Sequence, residues 1–166
     1  MVEFKQVPLF GGAAGCELPI NWVDASNVRQ VPDNQEVYLD TESEQSVIIE
    51  ILEFQAEVSD EKACEFFFAD LANADGAESV QLERFSEISE KQILATRAKS
   101  MTVEGLQTKG KSGQPAVAVF VAMGVLRLFD LSADILVTLH AETEASASIH
   151  RRIFHSITFH DRYLFS

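Results

Sequence analysis

The chain has 166 residues, 46% hydrophobic and 23% charged, a size and composition that fit one ordinary globular domain over 1–166 with its own core. Its 13 Lys and Arg against 26 Asp and Glu leave a formal charge of −13, so phosphate backbones and anionic lipid surfaces should repel it. Cys16 and Cys64, with no CxxC and no histidine nearby at ligand spacing, indicate neither a disulfide framework nor a zinc site, although one bridge between them stays open.

Taken in chain order, Leu9 to Leu18 carries Gly11, Gly12 and Gly15 and reads as an irregular hairpin or bulged strand. GGAAG lacks the trailing Gly-Lys-Ser/Thr of a phosphate loop. Asp24 and Ser26 can accept backbone N–H bonds to start a turn or short helix through Asn27 to Gln30, and Pro32 holds Val31 extended. Gln35 to Leu39 reads as a strand with Val37 and Leu39 on one face and Glu36, Tyr38 and Asp40 on the other. That alternation, with the turn before it, places Asp33 and Glu36 as exposed carboxylates. After a polar turn at Thr41 to Gln45, SVIIEILEF pairs back as an antiparallel hairpin.

Acids concentrate along this part of the chain: eleven lie between Asp33 and Glu65, with Lys62 the only base. They read either as a solvated surface that aids solubility or as a face that steers a basic partner. Asp60 can cap a helix running to about Ala72, with Ala63, Cys64, Phe67, Phe68 and Leu71 as its apolar stripe and Phe66 off it. Strands are expected around Val80 to Ile88 and Thr102 to Thr108, with a basic glycine-containing turn at Lys109 to Gln114. Ala116 to Asp130 and Ala133 to Ala141 form an apolar hairpin, the first strand long enough to be central, and no apolar run reaches the length of a membrane helix. Glu144 to Ser156 reads as a helix, with Ile149, Ile153 and Ile157 stepping along one side. The order of strands, helix, strands, helix predicts an α+β fold on a mostly antiparallel sheet.

Catalytic patterns are sparse. No GxSxG or HExxH occurs, and His150, His155 and His160 at i, i+5 spacing do not hold one helix face, so the histidines read as surface or helix-end residues. Asp24, Asp33 and Glu36 belong to one turn and the strand it feeds, an arrangement that turn formation explains and that an acid-pair hydrolase or a cation site could also use.

Read together, LFGGA at Leu9–Ala13, LPINWVDAS at Leu18–Ser26, VRQVPDNQEV at Val28–Val37 and GVLRLFDLSADILVT at Gly124–Thr138 resemble the Mog1 family of Ran guanine nucleotide release factors. The stretch from Ala77 to Ser100 does not match. The resemblance implies a twisted, mostly antiparallel sheet flanked by helices, the Mog1/PsbP-like α/β/α sandwich. It also implies a protein of nucleus and cytoplasm, monomeric and without cofactor, that binds the small GTPase Ran in its GTP-bound or nucleotide-free form, releases GTP and supports nuclear transport. The family's acids for Ran binding fall on Asp33 and Glu36, with Asp24, Gln35 and Asp40 beside them. Two other readings remain: a PsbP-like structural protein, which would need a transit peptide where this chain starts directly at its first strand, and a trafficking adaptor without nucleotide release.

Overall fold

A computed structural model describes residues 1–110 and 113–166. The chain begins with a hairpin of β1 (Phe4–Leu9) and β2 (Ala14–Pro19), to which β11 (Thr158–Phe159) adds a short third strand. The larger sheet is assembled, among the described residues, from β3 (Trp22–Asp24), β4 (Gln35–Asp40), β5 (Ser46–Glu53), β6 (Ser79–Phe85), β7 (Ser89–Ile93), β8 (Thr96–Lys109), β9 (Val117–Leu128) and β10 (Ala133–Ala141). Its order is β3-β4-β5-β10-β9-β8-β6, β7 also pairs with β8, and every ladder is antiparallel. With α1 (Asp60–Ala74) and α2 (Ala147–Ser156), this is the α+β fold the pattern predicts.

Alternation along β9 and β10 divides the core. Phe120, Ala122, Leu126, Ile135, Val137 and Leu139 face α2 and the β1–β2 hairpin, while Val121, Met123, Val125 and Leu136 face α1. A strand buried on both faces reads as a continuous apolar run, hence PAVAVFVAMGVL. Gly124 is required on the α2 face, because a Cβ there would lie 2.4 Å from the Phe154 ring. On the other face Phe67 and Phe68 of α1 are fully buried, each contributing roughly 2–3 kcal/mol of apolar transfer. Cys16 packs in the first cluster and Cys64 in the second; both are free and buried, so the open question of a bridge closes against one.

Several expectations need correction. The segment 80–88 is not one strand: β6 ends at Phe85 and β7 begins at Ser89, and both pair with a β8 of 14 residues that starts at Thr96 rather than Thr102. β9 ends at Leu128 and is an interior strand next to the middle one, β10. The N-cap of α1 is Ser59; Asp60 is the first helical residue, and Arg127 holds its carboxylate. α2 follows a 3-10 turn at Glu144–Ser146, and Ile157 lies past its end. The expected basic turn at Lys109 to Gln114 lies partly outside the described residues. Among these residues no helix is long and apolar enough to cross a membrane.

His150 departs furthest from its expected surface position. It is 1% exposed, its Nε2 lies 2.9 Å from the Val137 carbonyl oxygen, and burial pushes its pKa down to about 4. A neutral imidazole suits a helix face that has to pack against β10.

Candidate partner-binding site

The chain reaches β4 through a series of locally held turns. The Asp24 carboxylate accepts the Ser26 N–H at 2.8 Å and opens the 3-10 turn Ala25–Asn27. Pro32 accepts the Gln35 N–H at 3.0 Å, closing a turn with Asp33 and Asn34 at its tip. Asn34 pins that tip to β5: its side chain donates to the Ile51 carbonyl at 3.0 Å and its carbonyl accepts the Ile51 N–H at 2.9 Å. Gln35 donates to Glu50 Oε2 at 2.6 Å. Asp33 is left exposed on a backbone fixed from both sides.

Glu36 is not the free surface acid that strand alternation predicts. The β4 face it shares with Tyr38 packs against the β1–β2 hairpin, where Tyr38 is 7% exposed within the core, so Glu36 is half-buried. Its Oε1 accepts the Phe10 N–H at 2.8 Å. Phe10, Gly11 and Gly12 take successive positive φ values of 51°, 68° and 94°, a left-handed run that is strained at Phe10 and that a carboxylate on its first N–H holds in place. Burial raises the Glu36 pKa above its ordinary value, the Phe10 N–H opposes the rise, and the Asp24 charge adds to it. The sequence signal for this contact was the pair Gly11–Gly12, a left-handed turn in need of an anchor.

Asp24, Asp33, Gln35 and Glu36 therefore border one shallow groove, floored by Phe10, Val31, Pro32 and Leu164. Leu164 comes from the far end of the chain and carried no sequence signal. Asp40 belongs elsewhere. It ends β4, about 17 Å along the strand from Gln35, and its carboxylate organises the β4–β5 turn by accepting from Asn21 Nδ2 at 2.9 Å, the Glu42 N–H at 2.9 Å and Ser43 Oγ at 2.6 Å. Among the described residues no group of three or more His, Cys, Asp or Glu side chains could hold a metal ion. The groove thus offers carboxylate oxygens on a rigid frame with an apolar floor, a surface suited to a cationic side chain with an aliphatic stem.

A second polar constellation lies on the α1 face. Arg127, 2% exposed, donates through Nε to Asp134 Oδ1 at 2.9 Å, through Nη2 to Asp134 Oδ2 at 3.3 Å and the Gln55 carbonyl at 2.8 Å, and through Nη1 to Asp60 at 3.2 Å and the Val58 carbonyl. Its guanidinium also stacks on the Phe54 ring at 4.4 Å. Asp134, with no exposure, accepts the Gln55 N–H at 2.9 Å. This node ties β9 and β10 to the β5–α1 loop.

Comparison with known proteins gives a consistent set. The family model described as Ran-interacting Mog1 protein matches residues 7–142. The Ran guanine nucleotide release factor of Homo sapiens is 36% identical over 144 residues, covering 84% of this chain and 77% of that protein. The nuclear import protein mog1 of Schizosaccharomyces pombe is 32% identical over 151 residues, covering 86% and 80%. Among solved structures, the Saccharomyces cerevisiae Ran-binding protein Mog1p matches with a TM-score of 0.81 at 20% identity over 100% of both chains. Cyanobacterial PsbP from Synechocystis matches with a TM-score of 0.62 at 10% identity over 96% and 94%. These two structural likenesses speak for the fold.

Proposed function

The chain belongs to the family of Ran-interacting Mog1 proteins, and from that membership we propose that it binds the small GTPase Ran, promotes release of its GTP and supports nuclear protein import. It acts by binding rather than by catalysis, as a monomeric domain of nucleus and cytoplasm. The observation that supports the choice of epitope is the Pro32–Glu36 turn: Asp33 stands exposed, Glu36 stands half-buried beside it, and backbone and side-chain bonds fix both. A basic group on Ran meets these acids at little cost in ordering, because the turn is already formed. Asp24 and Gln35 border the same groove and share the contact, whereas Asp40 serves the hairpin turn.

Release of nucleotide follows if the nucleotide-free form of Ran binds more tightly than the GTP-bound form, since a partner shifts an equilibrium only by its differential affinity. The formal charge of −13 speeds encounter with a basic surface and makes binding weaken with salt. Release of a fluorescent GTP analogue from Ran, followed with and without this protein, tests the proposal. Acceleration by the native chain and its loss in an Asp33→Ala, Glu36→Gln variant is the expected result; equal acceleration by both removes the turn from the mechanism.

A further inference from the structure

The sheet edge farthest from the acidic turn carries a second groove, between α1 and the end of β6. Cys64 and Met101, both buried, lie at its base, and Phe85 and Ile88 stay 50% and 37% exposed at its mouth. Strand register explains the exposure. Phe85 stands opposite Val103, and Val80 opposite Gln107, so β6 turns these side chains to the face that α1 covers. Because α1 lies mainly over β8 and β9 and covers the outermost strand only around Leu82, Val80 and Phe85 are left exposed on either side of it.

The rim is of one sign. Asp60, Glu61 and Glu87 line it with no basic residue, and among the described residues the Glu61 and Glu87 carboxylates accept no hydrogen bond from the protein. We propose that this groove docks a short basic peptide segment of another protein, its apolar side chain seated between Phe85 and Ile88 and its Lys or Arg groups against Glu61 and Glu87. A second copy of this chain is a poor occupant, since two molecules of charge −13 repel each other. The ladder irregularity between Leu82 and Arg84 also breaks the straight edge that strand pairing between copies would use.

This groove opens on the α1 face, five strand spacings or about 24 Å across the sheet from β4, whereas Glu36 lies on the face covered by the β1–β2 hairpin. The two sites are therefore independent, and one molecule can hold a partner at each.

The test is a titration of isotope-labelled protein with an acetylated Lys-Leu-Lys-Leu-Lys peptide, followed by amide chemical shifts. Saturable shifts at residues 61–64 and 85–88 are expected. An E61K/E87K variant and, separately, Phe85→Ser should each lower affinity about tenfold or more, while Asp33→Ala leaves it unchanged. Shifts confined to residues 24–36, equal binding of the matching Glu-Leu peptide, or self-association through Phe85 that the peptide does not displace would each overturn the proposal. Weakened Ran binding in Asp33→Ala with this titration intact separates the two sites.

Discussion

Arg127 and Glu36 each anchor a loop to a strand through one charged side chain, yet they end in opposite states. Arg127 is 2% exposed, and its bonds to Asp134, Asp60, Gln55 and Val58 use all of its donors. Glu36 is half-buried, one oxygen is filled by the Phe10 N–H, and burial leaves its charge disfavoured enough to raise its pKa. A saturated buried pair has nothing left to offer a ligand. A partly desolvated carboxylate with acceptor capacity unused gains most when a cation arrives, and that asymmetry separates Arg127, whose donors are all spent within the fold, from Glu36, which keeps capacity for a ligand.

The Arg127 node depends most on Asp134. Replacing it by Ala leaves the buried Arg127 guanidinium with only the partly exposed Asp60 as carboxylate partner and orphans the Gln55 N–H, a loss of about 3 kcal/mol. Thermal unfolding should show a Tm lower by on the order of 10 °C for a chain of this length. A shift of no more than about 2 °C would mean that the node is not saturated in solution, and the contrast with Glu36 would fail.

Much of this is legible in the sequence, for reasons that differ between the two regions. Long apolar strands and the i, i+3, i+4 stripe of α1 are local patterns, so the α+β class and the β4–β5 and β9–β10 hairpins followed from spacing. The PDNQE turn was visible through Pro32 and its polar neighbours. What sequence could not show is that a separate hairpin covers the Glu36–Tyr38 face: alternation says which side chains share a face but not which face meets water. Phe10 contacts Glu36 across 26 positions, and Leu164 joins the same groove from the last residues of the chain. The burial of His150 is hidden from sequence for the same reason, its partner Val137 being a tertiary neighbour. The segment 77–100 had little apolar periodicity because β6 and β7 are exposed along most of their length.

At Glu36 the anchor and the charge can be separated. Glu36→Ala removes the acceptor of the Phe10 N–H and lets the left-handed turn relax, at about 1–2 kcal/mol. Glu36→Gln keeps a carbonyl oxygen for that N–H and removes only the charge. Chemical denaturation should therefore find Ala destabilised and Gln within about 0.5 kcal/mol of the native chain, while both lose Ran affinity. If Gln matched Glu in binding, Glu36 would be an anchor alone, and Asp33 would carry the recognition.

The smallest effect is the one that depends on protonation. Because burial places the Glu36 pKa above 4.5, the folded state favours its neutral form, and stability from this residue is lost as pH rises through the raised value. Binding runs the other way: a cationic partner needs the ionised carboxylate and lowers its pKa, so affinity falls as pH drops through the raised value. One proton sets the slope, no more than tenfold per pH unit. Ran affinity measured from neutral pH down through the raised value should decline for the native chain and for Asp33→Ala, each relative to Glu36→Gln, which cancels any titration of Ran itself. Parallel curves for all three proteins would show that the half-buried acid meets no charge in the complex, and would leave it on the same structural footing as Asp134.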